Sequence, residues 1–101
     1  MRYFVIGDED AVLGFGMVGV DGRTAHDADE AGAAFSDVLA MQDVGIVIMT
    51  EPVASMIRET VDRYLFSARF PLVVEIPGRK GRMPGRPGVR ELANAAIGVK
   101  L

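Results

Sequence analysis

The sequence predicts an α/β domain in which helices cover both faces of a four-stranded parallel sheet with strand order 2-1-3-4. Three observations support this fold class. At 101 residues the chain is long enough for one hydrophobic core. Four short apolar runs alternate along it with segments whose apolar residues recur at helical spacing. The clearest of these runs are apolar throughout, which is typical of parallel strands buried on both faces.

Two strand–helix pairs are predicted in the first half of the chain. Residues 3–6 are aromatic or β-branched and predict the first strand. The acidic residues 8–10 follow it and predict the start of a helix, where the helix dipole stabilises negative charge. A short second strand is predicted between residues 20 and 26, and the capping-box pair Asp27 and Glu30 then begins a second helix. The apolar residues of the two helices are Val12, Leu13 and Met17 in the first and Ala31, Ala34, Phe35, Val38 and Leu39 in the second.

The second half repeats this order and then changes in composition. Residues 45–49 predict the central strand, and Thr50 is expected to cap a third helix with its hydroxyl. Residues 70–76 predict the fourth strand, which completes a body of residues 1–76 similar to a truncated flavodoxin or receiver domain. The third helix should present an apolar stripe of Val53, Ile57, Val61 and Leu65 and pair Glu59 with Arg63 on its exposed side.

The C-terminal part is predicted to be a flexible loop followed by a helix. Residues 77–88 contain four glycines, three prolines and four bases, and loops of this length are usually mobile or functional. Residues 89–101 form the predicted C-terminal helix and tail. The helix has the plainest apolar periodicity in the chain, carried by Val89, Leu92, Ala93, Ala96 and Ile97.

Composition excludes several classes of function. The chain has no cysteine, which rules out disulfides, thiolate zinc sites and cysteine nucleophiles, and its single histidine rules out a multi-histidine metal cluster. No apolar run reaches the ~20 residues of a membrane span, and no signal peptide is visible, so a cytoplasmic domain is expected. Residues 1–50 carry nine acids and two bases (net −7), and residues 51–101 carry five acids and nine bases (net +4).

For each candidate chemical site, a purely structural role explains the residues better. The glycines of Gly14–Gly19 spell G-x-G-x-x-G, but they would lie at the far end of the first helix rather than in the turn after a strand, where a dinucleotide needs them. Close helix packing and a helix cap explain them better. His26 beside Asp27 and Asp29 is a poor metal signature, and the basic loop lacks aromatic residues for stacking nucleic-acid bases. No cofactor, metal or nucleic acid is therefore predicted.

The acidic residues 8–10, placed at the carboxyl end of the first strand, also suggest a receiver-type phosphorylation pocket. Such a pocket needs a phosphoacceptor aspartate at the end of the third strand, where this chain has Thr50 and Glu51. Aspartyl phosphorylation therefore has no site, although a magnesium pocket stays open as an alternative. Negative charge at a helix N-terminus is the simpler explanation.

Five segments in register resemble the F subunit of the V/A-type rotary ATPases: residues 5–10, 12–15, 45–51, 74–77 and 96–101. The resemblance spans nearly the whole chain and departs at residues 78–88, which here are unusually rich in Gly, Pro and Arg. It implies a non-catalytic rotor component of the central stalk, bound to the coiled-coil D subunit and beside other components of the stalk and catalytic head. ATP hydrolysis or synthesis would belong to the A and B subunits, and ion transport to the membrane sector. The chain would then be peripheral, on the cytoplasmic side of the plasma membrane.

The predicted partner interface combines the carboxyl edge of the sheet with the C-terminal segment. Its residues are Thr50, Glu51, Arg79, Arg82, Arg86, Val89, Leu92 and Ile97. Two alternatives from other classes stay open. One is a degenerate receiver-like signalling or protein-binding module, and the other is a small-ligand domain that uses the carboxyl edge of the sheet.

Overall fold

The computed structural model describes residues 2–67 and 70–78 and confirms the predicted fold class. All strand pairs are parallel and the strand order is β2-β1-β3-β4. The elements in chain order are β1 (Arg2–Gly7), α1 (Glu9–Gly16), β2 (Asp21–Thr24), α2 (Ala28–Leu39), β3 (Val44–Thr50), α3 (Glu51–Met56), α4 (Arg58–Ser67) and β4 (Leu72–Ile76). The predicted loop at residues 77–88, beyond Gly78, and the predicted C-terminal helix lie outside the described residues.

The core lies between one face of the sheet and the helices α2, α3 and α4. Alternate strand residues point into it, and α2 contributes Phe35, whose ring meets that of Tyr64 edge-on at a centroid distance of 5.5 Å. Every apolar α2 residue predicted for the buried face lies in or against this core. The strand residues in the core are Phe4, Ile6, Val44, Val47 and Met49, with Val73 packed against them.

The opposite face of the sheet carries α1, and two glycines allow the close approach of the layers. A Cβ at Gly22 would lie 2.8 Å from the Val5 carbonyl oxygen and 3.3 Å from Cγ1 of Val12 in α1. A Cβ at Gly7 would lie 2.8 Å from Cγ2 of Thr50. Substitution at either glycine would therefore push α1 or the neighbouring strand away.

Two helices begin at aspartate caps. Asp8 accepts a hydrogen bond from the Ala11 backbone N–H (2.8 Å), and Asp27 accepts one from the Glu30 N–H (2.8 Å). The capping box is shifted by one residue, because the Glu30 carboxylate accepts from the His26 N–H (2.7 Å) rather than from the N-cap residue itself. The predicted Thr50 cap is wrong in its chemistry: Thr50 occupies the N-cap of α3 but its hydroxyl makes no capping bond.

The third predicted helix is two helices. Its apolar stripe is interrupted at Ile57, whose dihedral angles (φ −127°, ψ 40°) are not helical. Val53 and Val61 are buried on either side of the break, whereas Leu65 is 47% exposed and is not part of the core. The expected ion pair between Arg63 and Glu59 is present at 3.2 Å. The break starts α4 at Arg58 and lets that side chain reach β4.

A truncation at Phe35 should measure how much the core depends on the α2–α4 contact. The Phe35 side chain is 2% exposed, so Phe35→Ala removes buried apolar surface and leaves a cavity. We expect a loss of about 3–5 kcal/mol in the free energy of unfolding, measured by urea denaturation. Phe66→Ala is the matched control, since Phe66 is 96% exposed and its truncation should change the free energy by less than about 0.5 kcal/mol. Equal losses in the two variants would contradict this description of the core.

Candidate functional site

The carboxyl edge of the sheet holds the residues that sequence analysis singled out for chemistry. Asp8 follows β1, Thr50 ends β3, and residues 76–78 end β4 and continue past it. Together with α1 they line a cavity of about 290 Å³. Its lining residues are Asp8, Asp10, Ala11, Phe15, Thr50, Ile76, Pro77 and Gly78. Open α/β sheets usually bind ligands at this edge, so this cavity is a candidate ligand-binding site.

Polar groups of this edge are engaged in the fold. The Asp8 carboxylate caps α1, and the side chains of Thr50 and Glu51 are buried, with exposures of 2% and 6%. In the described part of the chain, no group of three or more His, Asp or Glu side chains is arranged to hold a metal ion. Position 50 also carries a hydroxyl where a receiver would need a nucleophilic carboxylate.

The predicted interface is only partly within the described residues. Thr50 and Glu51 do lie at the carboxyl edge, but their burial leaves little of either side chain at the surface. Contact between these two residues and a partner stays a prediction. The six remaining interface residues, which are Arg79, Arg82, Arg86, Val89, Leu92 and Ile97, lie outside the described residues.

A second feature of this edge is an ion-pair cluster around His26. Its Nε2 lies 2.7 Å from a carboxylate oxygen of Glu9 in α1, and its Nδ1 lies 2.9 Å from one of Glu30 in α2. Both ring nitrogens can donate to these two carboxylates at the same time only in the imidazolium form. The hydrogen bond to Glu9, followed by the one to Glu30, raises the pKa of His26 above its ordinary value of 6.5. In the sequence His26 stands beside Asp27 and Asp29, but its ring pairs instead with Glu30 of α2 and Glu9 of α1.

The glycine motif does not form a phosphate-binding turn. Gly14 and Gly16 lie in the last part of α1, and Gly19 follows the helix with φ of 89°, a left-handed conformation that favours glycine. Their position agrees with the argument against a dinucleotide site. The expected close packing is wrong for Gly14 and Gly16, because a Cβ at either position would meet nothing within 4 Å.

Two arginines that sequence analysis did not single out hold the body together. Arg58 donates from Nη1 to Glu75 of β4 at 2.7 Å and from Nε to Asp62 at 3.0 Å, and its Nη2 pairs with the second Glu75 oxygen. The hydrogen bond to Glu75 raises the pKa of Arg58. Arg2 donates to Asp43 (2.8 Å) and Asp21 (2.7 Å) and lowers the pKa of Asp43. Arg2 and Asp43 are 41 positions apart in the sequence, so no periodic pattern predicts that they form an ion pair.

Large apolar side chains are exposed in several places outside the core. In and just after α1 the exposed residues are Leu13 (68%), Met17 (81%) and Val18 (77%). The apolar residues predicted for that helix therefore face solvent, except for Val12, which is half-buried. Phe66 and Phe70 are exposed near the start of β4. No helix among the described residues is long and apolar enough to cross a membrane.

In sequence the chain is similar to F subunits of ATP synthases. Residues 4–93 match the sequence pattern of the family described as ATP synthase (F/14-kDa) subunit. The chain is 40% identical over 98 residues to the F subunit of the V-type ATP synthase of Fusobacterium nucleatum, with 96% of this chain and 91% of that one covered. It is 32% identical over 106 aligned positions to the F subunit of the A-type ATP synthase of Pyrococcus furiosus, with 100% and 98% covered.

A solved structure gives the same result. The crystal structure of the F subunit of the V-type ATP synthase from Archaeoglobus fulgidus superposes with a TM-score of 0.60 and 29% sequence identity. The superposition covers 74% of this chain and 95% of that chain.

The His26 cluster predicts a dependence of stability on pH. Because the folded-state pKa of His26 is raised, its contribution to stability should be complete below the unfolded-state pKa of about 6.5 and lost as pH rises through the folded-state pKa. NMR titration of the ring should give a midpoint above 6.5 in the unsubstituted chain. Glu9→Gln and Glu30→Gln should each lower that midpoint. Glu59→Gln, on the distant helix α4, should leave it unchanged, and a midpoint at or below 6.5 in the unsubstituted chain would show that the cluster does not form in solution.

Proposed function

Because the chain belongs to the ATP synthase (F/14-kDa) subunit family, we propose that it is a non-catalytic rotor component of the central stalk of a V/A-type ATPase or ATP synthase. It binds the coiled-coil D subunit, which forms the rotor shaft, and helps couple ATP hydrolysis or synthesis to ion transport. The catalytic sites lie on other chains of the complex. The protein is held at the cytoplasmic side of the plasma membrane through the complex, as a peripheral component.

The observation that carries this proposal is the match of residues 4–93 to the family, supported by F subunits of A-type and V-type ATP synthases that align along almost the whole chain. A match of this extent includes the body and the start of the C-terminal helix predicted from the sequence. The coupling role follows from membership of the complex, since a rotor component acts by contact rather than by a reaction of its own.

The described body suits a protein that acts by contact. Arg58 joins α4 to the edge strand through Glu75, and Arg2 joins the starts of β1, β2 and β3 through Asp21 and Asp43. The Glu75 carboxylate is only 13% exposed, and a charge-assisted pair that is partly protected from water holds its partners more firmly than a surface pair.

The surface that meets the shaft is proposed to include the basic C-terminal segment. With Thr50 and Glu51 mostly buried, their contribution is to hold the carboxyl edge from which that segment leaves the body. The arginines at positions 79, 82 and 86 supply positive charge, which steers association with an acidic surface. Val89, Leu92 and Ile97 supply apolar contact for the coiled coil.

A degenerate receiver-like module is the second candidate. The strand order and the acidic residues that follow β1 favour it, since Asp8 and Asp10 line the cavity at the carboxyl edge. The absence of a carboxylate at position 50 limits such a module to binding without phosphoryl transfer. The two candidates differ in partner and in their response to phosphodonors.

Binding to the shaft is the first test. Titration of the full chain with the purified coiled-coil shaft protein should give a stable one-to-one complex by calorimetry. The triple variant Arg79→Glu, Arg82→Glu, Arg86→Glu should weaken it at least about tenfold, because charge reversal at an interface removes favourable contacts and adds repulsion. Arg63→Glu is the control: Arg63 is an exposed arginine on α4, 71% exposed, and its reversal should leave the affinity unchanged. Absence of binding at micromolar concentration would overturn the rotor proposal, and an equal loss in both variants would remove the interface assignment.

Phosphodonor treatment is the second test. Incubation of the full chain with magnesium and acetyl phosphate or beryllofluoride should produce no aspartyl adduct by mass spectrometry and no shift of amide resonances near Asp8 and Asp10. The reason is that Thr50 stands at the nucleophile position. A stoichiometric adduct at any carboxylate would favour the receiver-like candidate instead.

A further inference from the structure

His26 joins two helices that lie on opposite faces of the sheet. It stands between β2 and α2, at the carboxyl edge. Its Nε2 lies 2.7 Å from a carboxylate oxygen of Glu9, the first residue of α1, and its Nδ1 lies 2.9 Å from Oε1 of Glu30 in α2. Because α2 packs on the core face and α1 on the other, the ring is a direct link between the two helical layers.

The two carboxylates that contact the ring are held differently. Oε1 of Glu30 also accepts a hydrogen bond from the His26 backbone N–H at 2.7 Å, and this bond does not depend on the charge of the ring. Among the described residues, the Glu9 carboxylate is bonded to Nε2 of the ring alone. A neutral imidazole has one donor nitrogen and one acceptor nitrogen, so it can donate to only one of the two carboxylates. The contact that it keeps is the one with Glu30, whose oxygen the backbone bond holds beside Nδ1.

The surroundings of the ring are acidic, so its proton also affects Glu9 through charge. Among the described residues, a cavity of about 220 Å³ at this place is lined by Asp8, Glu9, Asp10 and His26. From α2 the ring faces Glu30, whose backbone N–H is bonded to the Asp27 carboxylate. The base closest to His26 along the chain, Arg23, is paired with Asp37. A neutral ring therefore no longer attracts Glu9 towards α2 and leaves it close to other carboxylates.

Helix α1 is held to the body less firmly than the other helices. It has no buried residue, whereas α2, α3 and α4 each have at least one. Its most protected side chains are Ala11, Val12 and Phe15, and all three are only half-buried. Eight residues are too few for a stable isolated helix, and Gly14 in the interior lowers its stability relative to alanine. The position of α1 thus depends on a few contacts, and the loss of one of them shifts its equilibrium.

We propose that His26 is a pH-sensitive latch on α1: the protonated ring joins α1 to α2, and the neutral ring keeps Glu30 and releases Glu9. On release α1 loosens while the rest of the body stays folded. Because Ala11 and Phe15 of α1 line the cavity at the carboxyl edge, loosening of α1 also opens that cavity. The pKa of the ring is raised above 6.5, so the latch stays closed at pH 6.5 and opens as the pH rises through the folded-state value. The proposal goes beyond the rotor function and does not depend on it.

Amide exchange in the full chain, followed by NMR between about pH 5.5 and 8.5, tests the latch, since His26 is the only histidine and titrates in this range. Each exchange rate is divided by the rate of an unstructured chain at the same pH, which leaves the protection due to structure. Protection at residues 12–15 should fall about three- to fivefold as the pH rises, the upper range for an exposed charged pair. The midpoint should coincide with the titration of the ring, and protection in α2 should not change.

Glu9→Ala separates a latch from a purely structural role of Glu9. Because this variant has no carboxylate for the ring to hold, its α1 should lose the pH response. A structural role alone would lower the protection of α1 equally at both ends of the pH range and keep the response. Glu59→Ala is the matched control, since it removes an exposed carboxylate that pairs with Arg63 on α4 and should leave the response of α1 intact.

Three results would overturn the proposal. Protection of α1 that does not change with pH would mean that the ring does not hold the helix, and an equal fall of protection in α2 would mean that Glu30 is released as well. A response that persists in His26→Gln would assign it to another group, such as the N-terminal amino group, whose pKa is about 8.

The rotor function fails separately, through loss of binding to the coiled-coil shaft. Circular dichroism at both ends of the pH range checks that each variant is folded. Should Glu9→Ala unfold, Glu9→Gln replaces it: a side-chain amide can either donate to the ring or accept from it, so the contact persists in both charge states and the pH response should again disappear.

Discussion

Every strand of the sheet runs in the same direction, and the rest of the structure depends on that constraint. Each connection must cross a face of the sheet to bring the chain back, so helices are obligatory and each one needs an apolar side. The strand β3 pairs with β1 on one side and β4 on the other, and it contains Val47 and Met49, which are fully buried. The same constraint gathers the ends of all strands at one edge, and this is why Asp8, Thr50 and Gly78 line one cavity although they are distant in sequence.

Ion pairs secure the places where this arrangement is weakest. The edge strand β4 has one strand neighbour, and Arg58 supplements that pairing by holding Glu75 from the adjacent helix. At the amino edge Arg2, the first residue of β1, holds Asp21 at the start of β2 and Asp43 just before β3. The Arg2 pairs are more exposed than the Arg58 pair, with the Asp21 and Asp43 side chains 69% and 65% exposed, so they contribute less to stability and more to fixing the register.

Sequence patterns predicted the features that depend on spacing within one element. The apolar run of β3, the Asp27 cap and the buried face of α2 are local, and so each was correctly identified, together with the parallel sheet that strand–helix alternation predicts. Features that depend on a second element were not predicted. The break at Ile57 accompanies the reach of Arg58 to β4, and the exposure of Met17 depends on how α1 lies against the sheet. His26, just before α2, likewise pairs with Glu9 of α1, and no periodic pattern in the sequence gives the relative position of these two segments.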